Sequence, residues 1–229
     1  MRVPAVLLQD VEFAYGSGPT VLHVPALRIE RGEKLFIFGP SGSGKTTLLG
    51  LLAGVLHTDA GIVRVLGTDL GTLSNRKRDG MRAAHIGYIF QMFNLIPYLS
   101  VQENIVLPCR LSRERRERLD GVSADTAARA LAEALHIGSL LGERVTKLSV
   151  GQQQRVAAAR ALIGSPELII ADEPTSALDS DRRQQFLELL FERCTAAAAT
   201  LVFVSHDRHL EHMFDRAIAL ADINLAVQR

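Results

Sequence analysis

Gly39-Pro-Ser-Gly-Ser-Gly-Lys45-Thr46 is the stretch that decides the fold of this chain. It fits the pattern G-x-x-x-x-G-K-[ST] between an apolar strand-like run, Lys34 to Phe38, and a helix-like run, Lys45 to Leu56. Glycines let successive backbone N–H groups turn toward an anion, and the start of the helix adds its positive end. A flexible Gly/Ser connector would not need Lys-Thr-Thr at that point. The pattern predicts a loop that binds the phosphates of a nucleoside triphosphate.

Two side chains of this loop have predicted contacts of their own. Lys45 places a positive charge near the β- and γ-phosphates, and the Thr46 hydroxyl is placed to ligate Mg²⁺. The predicted phosphate-contacting residues are Gly39, Pro40, Ser41, Gly42, Ser43, Gly44, Lys45, Thr46 and Thr47.

Composition limits the classes of protein. The chain has 229 residues, of which 47% are hydrophobic and 22% charged, and this is ordinary for a folded protein with one sizeable core. Its 26 basic and 25 acidic residues nearly cancel, so a nucleic-acid partner is not expected. The two cysteines form no CxxC pair, as in a reducing compartment. No apolar run of about 18 residues and no signal-peptide pattern is present, so we do not expect the chain to cross a membrane.

A local basic run stands out against this balance. Its arginines are interleaved with Glu114 and Glu117, a pattern that favours a solvated helix face. Contact with anionic lipid or with a partner loop is the alternative. The arginines of the run are Arg110, Arg113, Arg115, Arg116 and Arg118.

The remaining pattern is that of an α/β chain. Alternation from Val11 to Tyr15 and an extended run from Val21 to Ile29 predict antiparallel strands near the N-terminus. Alanine, leucine and charged residues predict a helix over Thr126 to Leu135, inside a largely helical block. Leu168 to Ala171 and Leu201 to Val204 are continuous apolar runs, as in parallel strands covered on both faces.

Polar residues follow the predicted strands directly. Gln91 ends one, Asp172 and Glu173 end another, and His206 follows a third. Ligands of open α/β sheets bind beyond the carboxyl ends of the strands, so these residues and the phosphate loop are predicted to converge. Asp172 is predicted to hold Mg²⁺ and Glu173 to act as the general base toward the attacking water. A plain strand end is the alternative for the Asp-Glu pair.

Leu148-Ser-Val-Gly-Gln-Gln-Gln-Arg155 resembles the signature of ATP-binding-cassette (ABC) ATPases. The resemblance runs from about Val6 to Ala219, with the family's motifs in order. It implies a P-loop NTPase with a RecA-like core, an N-terminal antiparallel β subdomain and an inserted α-helical subdomain. As one domain over 1–229, the core would comprise about 1–92 and 163–229, and the helical subdomain 93–162.

Several roles are implied by this resemblance alone. Tyr15 would stack on adenine, unless it continues the Val11 and Phe13 core face. Gln91 would contact Mg²⁺ or the lytic water, His206 would contact the γ-phosphate, and Asp179 would belong to the D-loop. An ordinary polar residue at a strand end and a surface histidine are the alternatives for Gln91 and His206.

The signature is predicted to form a second anion site, because Ser149 and Gly151 open a helix that runs to about Leu162. In ABC ATPases the signature of one copy contacts the ATP of a second copy in a head-to-tail dimer that ATP holds together. The resemblance therefore implies a homodimer of this chain in which the residues that contact the other copy's ATP are Ser149, Val150, Gly151 and Gln152. The family's usual middle glycine is Val150 here. Where many members have a Gly-containing hairpin near the C-terminus, this chain reads Ala221-Asp-Ile-Asn-Leu.

Gly87 to Asn104 looks most like the ATPases of lipoprotein-releasing, macrolide-efflux and related cell-division systems. Apolar residues crowd there after Gln91, and they predict either a groove for a cytoplasmic helix of a membrane subunit or an ordinary core patch. These residues are Met92, Phe93, Leu95, Ile96 and Tyr98.

The resemblance implies an ATPase subunit that binds ATP and Mg²⁺ and lies peripherally on the cytoplasmic face of the inner membrane. It would drive a separate integral membrane permease in export, lipoprotein extraction or mechanotransmission. The alternative is a soluble ABC ATPase that serves as an assembly or scaffold factor without transport.

Overall fold

The computed structural model describes residues 3–176 and 180–228 of the chain. The strands there are β1 Val6–Ala14, β2 Thr20–Ile29, β3 Lys34–Phe38, β4 Ala60–Val65, β5 Thr68–Asp69, β6 Ile86–Ile89, β7 Leu168–Asp172, β8 Thr200–Ser205 and β9 Arg216–Ala219. The helices are α1 Lys45–Leu52, α2 Asn75–His85, α3 Val101–Leu111, α4 Arg113–Glu117, α5 Ala124–Ala134, α6 Val150–Leu162, α7 Ser180–Ala196 and α8 Leu220–Ile223.

These elements form two compact units. Unit 1 comprises residues 1–82 and 200–229, and unit 2 comprises 83–199. The predicted subdomain boundaries after residues 92 and 162 follow helix content rather than packing, and they stay a prediction.

Unit 1 contains antiparallel and parallel strands. β1 pairs with β2 and β4 as an antiparallel sheet, which β5 extends. β3 lies between β8 and β9, and all three run parallel. The middle of β3 is fully buried, because Leu35, Phe36 and Ile37 are apolar on both faces of the strand. The carboxyl end of β3 leads directly into the predicted phosphate loop.

Helix α1 is shorter than the sequence pattern predicts. It ends at Leu52, with Ala53 as its C-cap, and not near Leu56. Gly54 has a φ of +65°, a left-handed conformation that glycine adopts without steric cost and that turns the chain out of the helix.

Unit 2 combines the parallel pair β6 and β7 with helices α3 to α7. Ser100 and Glu103 form a capping box at the start of α3, and Ser149 and Gln152 form another at α6. The predicted helix over Thr126 to Leu135 is α5, which begins two residues earlier because Ser123 caps it.

One arginine of the basic run, Arg115, does not lie on a solvated helix face. This side chain is 2% exposed, because its guanidinium turns inward from the short helix α4. It donates hydrogen bonds to the carbonyl oxygens of Ala83, Ile86, Ala161 and Ile163 at 2.5 to 3.2 Å. Burial lowers the pKa of Arg115 to about 10, which leaves it charged at neutral pH. The sequence-based prediction is therefore wrong for Arg115.

Candidate functional site

The predicted phosphate loop lies in unit 1 between β3 and α1. Gly44, the loop residue directly before α1, is the N-cap of that helix with a φ of +99°, and no side chain caps the helix there. The first N–H groups of a helix lack partners within the helix, so this end of α1 favours an anion. Gly42 is also left-handed, at +79°, and a Cβ built on it would meet nothing within 4 Å. The loop therefore has the backbone conformation and the space for phosphate oxygens.

Lys45 is only 6% exposed and is folded back over the loop. Its Nζ lies 2.9 Å from the carbonyl oxygen of Gly39 and 2.8 Å from that of Pro40. Thr46 is exposed, whereas the hydroxyl of Ser43 is buried and makes no hydrogen bond with the described residues. A buried polar atom without a partner costs free energy, so the loop is better satisfied by an oxygen-rich ligand or its cation. These residues fit a nucleotide phosphate with Mg²⁺.

Tyr15 does not continue the core face of β1. Val11 and Phe13 are 0% and 6% exposed, but Tyr15 is 55% exposed. The Tyr15 ring lies perpendicular to that of Phe13, with the two centroids 4.9 Å apart, and its hydroxyl lies 3.1 Å from Thr47 Oγ1 at the start of α1. Tyr15 is therefore an exposed aromatic residue beside the loop. His206, which directly follows β8, is exposed in the same unit.

The predicted hydrolytic residues of unit 2 lie at the ends of its two strands. β7 is buried throughout and ends at Asp172, which is 8% exposed. Burial, and then the negative charge of Asp172, raise the pKa of Tyr88 in β6 well above its ordinary value. Glu173 has a φ of +45°, so the backbone turns sharply and this half-buried residue leaves the strand direction. Gln91 is exposed two residues after the end of β6.

The signature residues open helix α6. The Ser149 Oγ accepts a hydrogen bond from the Gln152 N–H, and Gln152 Oε1 accepts one from the Ser149 N–H at 2.9 Å. Val150 occupies the first helical position and is 45% exposed, so this β-branched side chain has room. The predicted helix end at Leu162 is confirmed. The D-loop residue Asp179 lies outside the described residues.

A cavity of about 370 Å³ lies beside the signature in unit 2. Ser149, Gly151 and Gln152 line it, together with six residues to which sequence reasoning gave no role. These are His136, Gln154, Arg155, Arg182, Gln185 and Phe186. Gln154 is 1% exposed, and neither polar atom of its amide has a hydrogen-bond partner among the described residues. Arg155 ends the quoted signature, and its spacing of four residues from Gly151 places both on one face of α6.

The apolar patch after Gln91 is divided. Met92 and Tyr98 are 80% and 75% exposed, whereas Phe93 is buried at 8%. Neither the groove nor the core-patch interpretation holds for every residue of the patch.

Comparison with known proteins identifies the family. A model described as ABC transporter matches residues 22–176. The chain belongs to the ABC transporter family. It is 36% identical to lipoprotein-releasing system ATP-binding protein LolD 2 of Caulobacter vibrioides over the whole of both chains. It is 39% identical to the ABC transporter ATP-binding protein YbbA of Escherichia coli, over 86% of this chain and 84% of that one.

Structural similarity supports the same family. The ATP-binding cassette MJ0796, solved as a dimer in a post-hydrolysis state with ADP and Pi, superposes with a TM-score of 0.82. It is 32% identical, and 93% of each chain is covered. The predicted P-loop ABC fold is thereby confirmed. This ABC chain is an ATP-binding subunit of the LolD and MacB type, and it hydrolyses ATP in a process coupled to transport. None of its described helices combines the length and the apolarity needed to span a membrane.

Proposed function

We propose that this ABC subunit forms a head-to-tail homodimer on binding ATP and Mg²⁺ and thereby drives a separate membrane permease. The observation that supports the proposal is that one chain has two helix N-termini suited to an anion, one in each unit. One is the start of α1 at Gly44, where no side chain caps the helix, and the other is the start of α6 at Ser149, beside the cavity. MJ0796, a relative by fold and sequence, has been solved as a dimer. Two copies would supply each nucleotide with one site of each kind.

The residues of this chain have distinct tasks in the proposal. The loop N–H groups and Lys45 bind the phosphates, and Tyr15 stacks on adenine. Thr46, Gln91 and Asp172 would hold Mg²⁺, which neutralises charge on the phosphates. Glu173 accepts the proton of the attacking water, and His206 contacts the γ-phosphate. Ser149 to Gln152 contact the nucleotide of the other copy.

The proposed partner is an integral membrane protein of the kind that works with lipoprotein-releasing and macrolide-export ATPases. The relatives named for those systems support this choice, and among them MacB of Rhodopirellula baltica joins an ATP-binding part and a permease in one protein. This chain spans 29% of that relative. Export or extraction of a substrate at the inner membrane follows, with the ATPase held peripherally on the cytoplasmic face.

Two measurements test the proposal. Calorimetry with ATP and Mg²⁺ should show that Lys45→Ala weakens ATP binding strongly, while Lys77→Ala, an exposed position on α2, does not. Unchanged affinity in Lys45→Ala would remove the loop from the phosphate site. Co-expression with a membrane permease of the lipoprotein-releasing or macrolide-export type should move the ATPase to the membrane fraction. An ATPase that stays out of that fraction would contradict the permease partner.

A further inference from the structure

The C-terminal segment 220–224 packs inside unit 1 on β2 and the phosphate loop. Leu220 is completely buried, and a Cβ built on Gly39 would lie 3.7 Å from the Leu220 Cβ. The first glycine of the phosphate loop therefore lies against the start of α8.

Asn224, which directly follows α8, is also completely buried. Its Oδ1 accepts hydrogen bonds from the N–H groups of His23 at 2.9 Å and Ala226 at 3.1 Å. Its Nδ2 donates to the carbonyl oxygens of Val21 at 3.0 Å and Ser43 at 3.4 Å. An asparagine amide has two donor hydrogens and two acceptor lone pairs. All four are used, and every partner is a main-chain group.

The bond to Ser43 reaches the phosphate loop itself. Ser43 precedes Gly44, the left-handed N-cap of α1. A Cβ built on Gly44 would lie 2.9 Å from Leu22 Cδ2 and 3.4 Å from the Val21 carbonyl oxygen. The start of β2 thus packs closely against Gly44. The buried amide of Asn224 forms hydrogen bonds both to this part of β2 and to the loop.

We propose that Asn224 is a positioning residue, which holds the phosphate-binding loop in the conformation that binds the nucleoside triphosphate. The Asn224 amide binds the carbonyl oxygen of Ser43. The same peptide group carries the N–H of Gly44, so this bond orients the loop at the N-terminus of α1. Phosphate affinity depends on N–H groups that already point at the ligand, since ordering them during binding costs free energy. This inference rests on the proposed assignment of Gly39 to Thr46 as the phosphate loop.

Two substitutions separate this role from simple stability. Asn224→Asp keeps the size of the side chain and its accepting oxygens, but it loses both donor hydrogens and adds a charge beside two carbonyl oxygens. Asn224→Leu has similar volume and removes all four hydrogen bonds. Asp222→Ala, at an exposed position of α8, is the control for the segment. Val6→Ala is the control for lost stability, because Val6 is fully buried in β1 and pairs with Ile29, at the end of β2 opposite Val21.

The test is the Kd for ATP by calorimetry on the full chain, below the unfolding transition of each variant. We expect Asn224→Asp and Asn224→Leu to raise the Kd about tenfold, the size expected for the loss of one or two hydrogen bonds. The rise in Tm that ATP produces should shrink in parallel. Val6→Ala should lower the Tm without nucleotide and leave the Kd unchanged, and Asp222→Ala should change neither.

Asn224 variants that lower the Tm like Val6→Ala but bind ATP with wild-type Kd would overturn the proposal, because Asn224 would then only stabilise the fold. If Asn224→Leu does not fold, Asn224→Asp decides. Lys45→Ala separates a failure of the phosphate-loop assignment from a failure of the role proposed for Asn224. Wild-type affinity in Lys45→Ala would remove the loop from the phosphate site, whereas weakened binding in Lys45→Ala with unaffected Asn224 variants would reject Asn224 alone.

Discussion

Arg160, in the last turn of helix α6, donates a hydrogen bond from Nη2 to the carbonyl oxygen of Phe93 at 2.7 Å. Its Nη1 donates to the neighbouring carbonyl of Asn94 at 2.6 Å. Phe93 and Asn94 both have positive φ, at +59° and +47°, in the turn that follows Gln91. The helix that begins at the signature therefore holds the strained segment after Gln91 directly.

Arg160→Met should release this turn, because two carbonyl oxygens lose charged donors that hold a backbone of unfavourable φ. We expect the kcat for ATP hydrolysis to fall several-fold with little change in the KM for ATP, since the phosphate loop lies in the other unit. Steady-state kinetics on the purified chain measures both. Arg129→Met, on helix α5, is the control. A normal kcat in Arg160→Met would show that the turn keeps its conformation without the guanidinium.

Arg115→Met should be strongly destabilising. The variant leaves four buried or half-buried carbonyl oxygens without their charged donor, and the expected loss in the free energy of unfolding is about 3 kcal/mol. Arg113→Met is the matched control in the same helix. Arg113 is 82% exposed and pairs with Glu117, so its loss should cost about 0.5 kcal/mol or less. Urea denaturation measures both, and equal losses would show that the four hydrogen bonds of Arg115 do not stabilise the fold.

Arg113 is exposed and Arg115 is buried, although both belong to the same basic run. The sequence predicted strands and their ends better than it predicted such buried polar side chains. Apolar runs located β7 and β8, and the residues after them follow from where those runs end. Arg115 and Asn224 could not be placed in the same way. Both form hydrogen bonds to main-chain groups of distant segments. Because every residue has a main-chain carbonyl group, residue types do not indicate which of these groups a side chain binds. Helix α4 is also only five residues long, which is too short for a periodic pattern to show its buried side.

Val150→Gly should change stability little. The Val150 side chain is 45% exposed at the first position of α6, so its removal creates no cavity. Glycine costs a helix about 1 kcal/mol at most relative to alanine, and less at its end. We expect a loss of less than about 1 kcal/mol by urea denaturation. A larger loss would mean that Val150 packs in the folded chain more tightly than its exposure indicates.

Glu173→Gln should separate ATP binding from hydrolysis. Glutamine keeps the length and shape of the side chain but cannot accept the proton of the attacking water, so kcat should fall about 10²- to 10⁴-fold. ATP should still bind, because Lys45 and the loop of unit 1 are unchanged. Trapped in the ATP state, the variant should elute as a dimer in size-exclusion chromatography with ATP and as a monomer with ADP.

Glu188→Gln, on helix α7, is the control for Glu173→Gln, and it should keep both the rate and the wild-type elution profile. Two outcomes would count against different parts of the proposed function. Near wild-type turnover in Glu173→Gln would remove Glu173 from the role of general base. Lost turnover with a monomer in saturating ATP would leave that role intact, but it would contradict a dimer that forms on ATP binding, since a blocked nucleotide should hold the two copies together.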